Sequence, residues 1–265
     1  MQGGAADAAL DDVVHPVGVP GLDEFGNRVA EFSQQALEGG FVMVLAVVRH
    51  AESPENADKY CGFYADRRPY SGPAAHEISR NVVGLTPRGF RQCLWLGQQL
   101  ADLAGPDLRG YSSTYRCAID TAELVFPDLA EGWPQSTARL DEQHYGDATY
   151  MTKEELFATY PEGAEDRRDH KHLWVPPGGG ESLAHGVWCR AEKFIDLAYT
   201  DMQAGHHIIA ITHHTTILAL RALFEARPVT DLVEEARTAK TPSAGVLRYE
   251  LAAGRFAMTS VMAPP

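Results

Sequence analysis

Short apolar runs alternating with helical segments are the feature that most limits how this chain can fold. The run Val42–Val48 is continuous, β-branched and too short for a helix, so it reads as a buried strand. His207–Thr212 repeats the pattern, and Leu108–Ser112 and Thr137–Leu140 are shorter strand candidates. Val246–Leu251 and Phe256–Val261 read as two closing strands around an Ala-Gly turn. Helices fill the intervals. Thr86-Pro87 supplies an N-cap and a first-turn proline for a helix to about Ala104. Arg116–Val125 is a second, and Thr152 with Glu155 forms a capping box for a third that reaches Tyr160. Ser182 caps a long helix to about Met202, and another runs from Thr215 to Glu225. This alternation predicts an α/β chain, a three-layer αβα sandwich on a mainly parallel central sheet.

Residues 1–40 read as an N-terminal extension, a small acidic segment followed by near-helical apolar spacing from Gly21 to Leu37. The domain proper spans 41–265. Within it, 53–84 and 144–180 are expected to be cap-like insertions. The first is rich in Gly, Pro, Tyr and Arg without a clear period, and loops of that length are uncommon unless functional. A formal charge of −13 argues against a nucleic-acid or anionic-membrane partner. No stretch approaches the roughly 20 apolar residues needed to span a bilayer, and the N-terminus lacks the features of a secretory signal. Cys61, Cys93, Cys117 and Cys189 are scattered, form no C-x-x-C pair and read as isolated buried thiols. The expected location is the cytoplasm.

Ligands of open α/β sheets bind beyond the carboxyl ends of the strands. Arg49-His50 ends the first strand, and Ser112-Ser113 and Arg116 follow the second. Asp141-Glu142 follows the third, and His213-His214 the fourth. Taken singly, each residue has an ordinary structural role: a packed histidine, a surface arginine, a capping carboxylate. Their coincidence at four strand ends points to one site.

Arg49-His50-Ala51-Glu52-Ser53 with Asn56 resembles the R-H-G-E-(S/T)-x-x-N signature of the histidine phosphatase superfamily, which includes cofactor-dependent phosphoglycerate mutases. Further matches follow in order. Leu85-Thr86-Pro87-Arg88-Gly89 with Gln92 resembles L-T-x-x-G-x-x-Q. Ser112-Ser113 to Arg116, then Thr121-Ala122, is similar to S-S-x-x-x-R-x-x-x-T-A. Leu140–Gly146 resembles the acid-bearing loop, Gly180-Glu181-Ser182 the G-E-S helix start, and Thr212-His213 the second histidine. The resemblance covers about Val42 to Leu223 and implies a phosphoglycerate mutase-like fold.

It also implies a mechanism. His50 would be the nucleophile, with its second ring nitrogen donating to a backbone carbonyl. Glu142 would be the general acid and then the base, its pKa raised by burial and by the bound anion. His213 would be a further catalytic donor, and Arg49, Asn56 and Arg116 would hold the phosphate together with it. Arg67, Arg68, Tyr145 and His214 are candidates for substrate contact; His76 and Arg80 in the first insertion either select substrate with them or belong to a solvated loop, and Arg167, Arg168, His170 and His172 either line the entrance or form a polar helix end. No metal or cofactor is implied, the partner is a small phosphorylated substrate, and a homodimer fits. Ala51 and His214 depart from the family pattern, each standing where a glycine usually follows a catalytic histidine; His214 is expected to point into the core.

The activity expected is phosphomonoester hydrolysis. A mutase is the alternative, favoured by Leu140–Gly146. Against it stand Tyr115, where mutases often carry a lysine just before the second arginine, and the absence of a basic residue in Asp147-Ala148-Thr149. A non-catalytic phospho-ligand-binding member is a further alternative, which loss of the nucleophile, the acid or an arginine would signal; on this reading none is lost.

Overall fold

A computed structural model describes residues 42–57, 73–127, 133–252 and 255–265. The expected N-terminal extension and helix, Cys61, Arg67 and Arg68 lie outside the described residues.

Six strands form one sheet: β1 (Val44–Arg49), β2 (Leu108–Ser112), β3 (Gln135–Ser136), β4 (His207–Thr212), β5 (Val246–Ala252) and β6 (Arg255–Met262), in the order β3-β2-β4-β1-β5-β6. The first four are parallel, whereas β5 runs antiparallel to β1 and β6 to β5. The helices are α1 (Pro54–Ala57), α2 (Pro73–Asn81), α3 (Pro87–Gln99), α4 (Arg116–Val125), α5 (Lys153–Thr159), α6 (Ala164–Asp169), α7 (Trp188–Gln203), α8 (His214–Glu225) and α9 (Val229–Glu235).

Alternation along the strands divides the core in two, because successive side chains point to opposite faces. Leu45, Val47, Ile208 and Ala210 pack with residues of α7, α8 and α9. Val44, Ala46, Val48, Ile209 and Ile211 pack with residues of α3 and α4. The central strands β1 and β4 are therefore covered on both sides, which is why they read as unbroken apolar runs. None of the described helices is long and apolar enough to cross a membrane.

The structure corrects several expectations. Part of the supposed loop is α2, whose clearest inward residue is Ala75; one small buried residue gives too weak a stripe to read as a helix. The third strand is Gln135–Ser136, and Ala138–Leu140 is a 3₁₀ turn, because the Thr137 side chain caps that turn. The long helix after Ser182 begins with a π turn, Leu183–Val187. Helix α9 went unread in the sequence. Cys189 is exposed rather than buried.

Candidate active site

Strand register builds the floor of the site. Arg49 of β1 pairs with Thr212 of β4, and the His50 N–H donates to the Thr212 carbonyl at 2.9 Å. His50 and His213 consequently leave adjacent parallel strands at the same level, and their ring centroids are 4.8 Å apart. Ser113 extends β2 in the same way, its N–H donating to the Ile211 carbonyl at 2.9 Å.

His50 is buried, and its Nδ1 lies 2.7 Å from the Ala51 carbonyl oxygen. A carbonyl only accepts, so Nδ1 carries the proton and Nε2 keeps its lone pair. Burial, reinforced by the Arg49 guanidinium, pulls the His50 pKa down to about 3, so the ring is neutral. Burial also pulls His213 well below its ordinary value, with His50 and Arg49 adding to the effect. His213 Nε2 meets Ser113 Oγ at 2.9 Å, and that hydroxyl donates to Asp141 Oδ1 at 2.8 Å. The hydroxyl has one proton, so His213 Nε2–H donates to it.

Glu142 sits over the start of α8, accepting from the Gln143 N–H at 2.9 Å and the Thr215 N–H at 3.2 Å. Burial raises its pKa despite those donors and Arg49. Arg190 fixes the acid-bearing loop from below, donating to the Asp141 carbonyl at 2.9 Å and the Glu142 carbonyl at 3.3 Å while pairing with Glu181. Glu181 also accepts the His144 N–H at 3.1 Å, which gives the G-E-S segment its local purpose. Two other signature segments hold each other. The Glu52 carboxylate accepts from Thr86 Oγ1 at 2.8 Å, the Glu52 N–H donates to Gln92, and a Cβ on Gly89 would lie 2.3 Å from the Glu52 carbonyl oxygen. Ser53 Oγ donates to Asn56 Oδ1 at 3.1 Å, leaving the Asn56 amide as a donor. Arg49 Nη1 donates to the Thr241 carbonyl at 2.7 Å.

Arg116 is where the structure departs most from expectation. Its side chain is 51% exposed and paired with Asp120 at 2.6 Å. Cys117, one residue on, is buried with a sulfur close to both His50 and His213. Successive helix residues diverge by roughly 100°, so the neighbour of a cleft residue on α4 faces elsewhere. Counted strictly, S-S-x-x-x-R-x-x-x-T-A also sets its arginine position on Cys117, with Thr121-Ala122 in place. The residue preceding that position is Arg116, not Tyr115. Cys117 thus stands at the arginine position of that pattern, with Arg116 one residue before it. Ala51 is better accommodated: its backbone is not among the described residues with positive φ, so no glycine is required there. His214 is half-buried as the first residue of α8.

Further side chains come from the insertions: His76, Arg80 and Arg167 are among those the sequence offers for substrate selection or the entrance, whereas Glu55, Tyr150 and Lys171 carry no sequence signal. The His76 ring on α2 meets His144 at 3.8 Å between centroids and Tyr115 at 6.0 Å, while Tyr115 meets His213 at 4.7 Å. Arg80 Nε donates to Thr114 Oγ1 at 3.0 Å. On α1, Glu55 accepts from Tyr150 Oη, and burial raises its pKa. Tyr150 has a φ of 65°, a conformation costly for a bulky residue, so this hydroxyl is delivered by a strained backbone. Opposite these groups is a basic side. Lys171 lies within electrostatic reach of Arg167, Lys240 and Glu142, and burial, with the neighbouring cations, pulls its pKa down to about 8. Arg167 stacks 4.7 Å from the Trp174 ring centroid, and Tyr145 packs on the same tryptophan.

The arrangement offers a neutral imidazole, an adjacent guanidinium and a buried carboxyl whose pKa burial raises. Comparisons with known proteins identify the family. The family model described as histidine phosphatase superfamily (branch 1) matches residues 45–262. The 2,3-bisphosphoglycerate-dependent phosphoglycerate mutase of Mycobacterium tuberculosis is 27% identical over 202 residues, covering 66% of this chain and 74% of its own length. Among solved structures, a putative α-ribazole-5'-P phosphatase from Escherichia coli superposes with a TM-score of 0.66 at 20% identity, covering 83% of this chain and 96% of that one. A mycobacterial glucosyl-3-phosphoglycerate phosphatase gives 0.60 at 19%, covering 83% and 98%. The chain belongs to branch 1 of the histidine phosphatase superfamily.

Proposed function

We propose that this chain hydrolyses a small phosphomonoester through a phosphohistidine on His50, without a metal. The carrying observation is the neutral, Nδ1-anchored His50 with Nε2 bare beside Arg49. In the first step Nε2 forms a bond to phosphorus, the ester P–O bond breaks, and Glu142 gives its proton to the departing alkoxide. In the second, Glu142 takes a proton from water as the oxygen attacks phosphorus; the N–P bond breaks and inorganic phosphate leaves. Arg49 and the Asn56 amide neutralise and orient the phosphoryl oxygens. His213 contributes by taking up a proton when the dianion arrives, since an adjacent anion favours the imidazolium.

Two observations support other readings. The basic side formed by Arg167, Lys171 and Lys240, with the mycobacterial mutase among the relatives, favours transfer to a second phosphorylated acid instead of water. The thiol at Cys117 favours a family member that binds phosphorylated ligands without turnover, because an arginine is missing. One assay separates all three. Incubation with a generic aryl phosphate in EDTA should give an acid-labile phosphoenzyme and free phosphate with the wild type, and neither with His50→Ala. Transfer only between phosphoglycerates would establish the mutase. Saturable binding without a phosphoenzyme across a panel of esters would establish the binding protein.

A further inference from the structure

His50, Cys117 and His213 stand on three different elements, yet one ligand atom from each lies within 4.8 Å of the others, and all three residues are buried. Two imidazoles and a thiol are the ligand set of a borderline-soft cation, and three protein ligands leave the fourth tetrahedral position for water or chloride. Each ring has one nitrogen hydrogen-bonded, the kind of contact that braces metal-binding histidines, which leaves the other nitrogen to ligate. His50 uses Nδ1 on the Ala51 carbonyl, and His213 uses Nε2 on Ser113, whose hydroxyl passes on to Asp141.

We propose that His50, Cys117 and His213 form an inhibitory site for zinc or a similar thiophilic divalent cation, whose occupation excludes the phosphoryl group. Binding forms two metal–nitrogen bonds and one metal–sulfur bond, and the Cys117 thiol releases its proton to solvent. Tetrahedral zinc with bonds near 2.0–2.3 Å spaces its ligands roughly 3.3–3.6 Å apart. Side-chain rotations that close the trio by about 1 Å therefore complete the site. The Arg49 guanidinium opposes the incoming charge, so the binding is reversible. An arginine at position 117 would abolish the trio. The metal site and the missing phosphate cation are thus two consequences of one residue.

The inhibition rests on the phosphatase reading; the binding does not. The full chain, stripped with chelator, is titrated with zinc against a chromophoric chelator, and separately with cobalt while near-ultraviolet absorption is followed. Cys117→Ser and Cys117→Ala are compared with Cys189→Ser. The expected result is one zinc per wild-type chain, displaced by orthovanadate, with affinity at least tenfold weaker in both Cys117 variants and unchanged in Cys189→Ser. The cobalt complex should show thiolate charge-transfer absorption that the Cys117 variants lack. Zinc inhibition of aryl phosphate turnover, each variant normalised to its own metal-free rate, should weaken in parallel. No zinc bound to the wild type, or equal affinity in the Cys117 variants, overturns the proposal. A wild type that binds zinc through Cys117 but turns over no phosphoester leaves the metal site standing and removes the phosphatase.

Discussion

The floor and the cover of this cleft are held by different kinds of force. On the floor, His50, Ser113 and His213 follow strands whose backbone ladders fix their height and spacing. In the cover no ladder joins α2, the loop after Asp141 and the segment around Trp174: side-chain contacts (Arg80 to Thr114, Tyr150 to Glu55, His76 against His144, Arg167 over Trp174) are supplemented by isolated backbone bonds, Asp147 N–H to the Pro177 carbonyl at 2.8 Å and Glu181 N–H to the His144 carbonyl at 3.0 Å. Beneath Trp174 lies a small hydrophobic cluster of its own, with Ala148 and Leu156. A backbone ladder places a residue whatever its neighbours are. A side-chain lattice places it only when both partners are present. The chemistry common to phosphoryl transfer should therefore reside in the floor, and the choice of substrate in the cover.

Substitutions in the floor should cost most. His50→Ala should lower kcat for every phosphoester by on the order of 10⁴-fold or more, as loss of a covalent nucleophile does. Equal losses from a cover residue would dissolve the distinction. Glu142→Gln should lower kcat/KM by roughly 10²–10⁴-fold for an alkyl phosphate, whose poor leaving group needs the proton. The loss should be much smaller for p-nitrophenyl phosphate. The raised Glu142 pKa carries a sign: the first step needs its protonated form, so kcat/KM for the alkyl ester should fall as pH rises through that pKa. The lowered pKa of His50, about 3, keeps the nucleophile neutral throughout that range, so no acid limb near pH 6 should come from it. A His50 ring that titrates near pH 6 in the free enzyme, followed by NMR, would contradict this.

The smaller, opposite effect belongs to position 117. Cys117→Arg should restore a charge-assisted contact worth roughly 1.5–3 kcal/mol, and so raise kcat/KM about tenfold or more. No gain, in a variant that folds with an unchanged circular dichroism spectrum, would mean that the cleft already obtains its second cation elsewhere.

This contrast also explains what could be read from the sequence. Strands β1, β2 and β4 announce themselves because burial on both faces leaves continuous apolar runs, and the residues at their ends follow from parallel topology alone. The 3₁₀ turn after β3 was invisible because Thr137 satisfies it locally, with no periodic stripe. Arg116 stands one residue before the arginine position of S-S-x-x-x-R-x-x-x-T-A, an offset that matters little on a loop and a great deal at the first turn of a helix. Glu55, Lys171 and Lys240 have no legible role because their partners are remote in sequence. The Arg49 bond to the Thr241 carbonyl and the Arg237 bond to the Arg168 carbonyl at 3.3 Å help hold the Lys240 segment near Lys171.

Lys171 gives the finest test of the division. With its pKa pulled down to about 8, its ammonium is charged below that pH and neutral above it. A phosphomonoester that also carries a carboxylate would meet this cation, whereas an uncharged aryl group would not. The KM for 3-phosphoglycerate should therefore rise about fivefold, the equivalent of roughly 1 kcal/mol, as pH increases through 8, while the KM for p-nitrophenyl phosphate stays flat. Lys171→Met should show the raised KM at every pH and leave kcat unaltered. If kcat fell instead, the influence of Lys171 would run through Glu142, the titrating acid within its electrostatic reach, and the cover would then share in the chemistry.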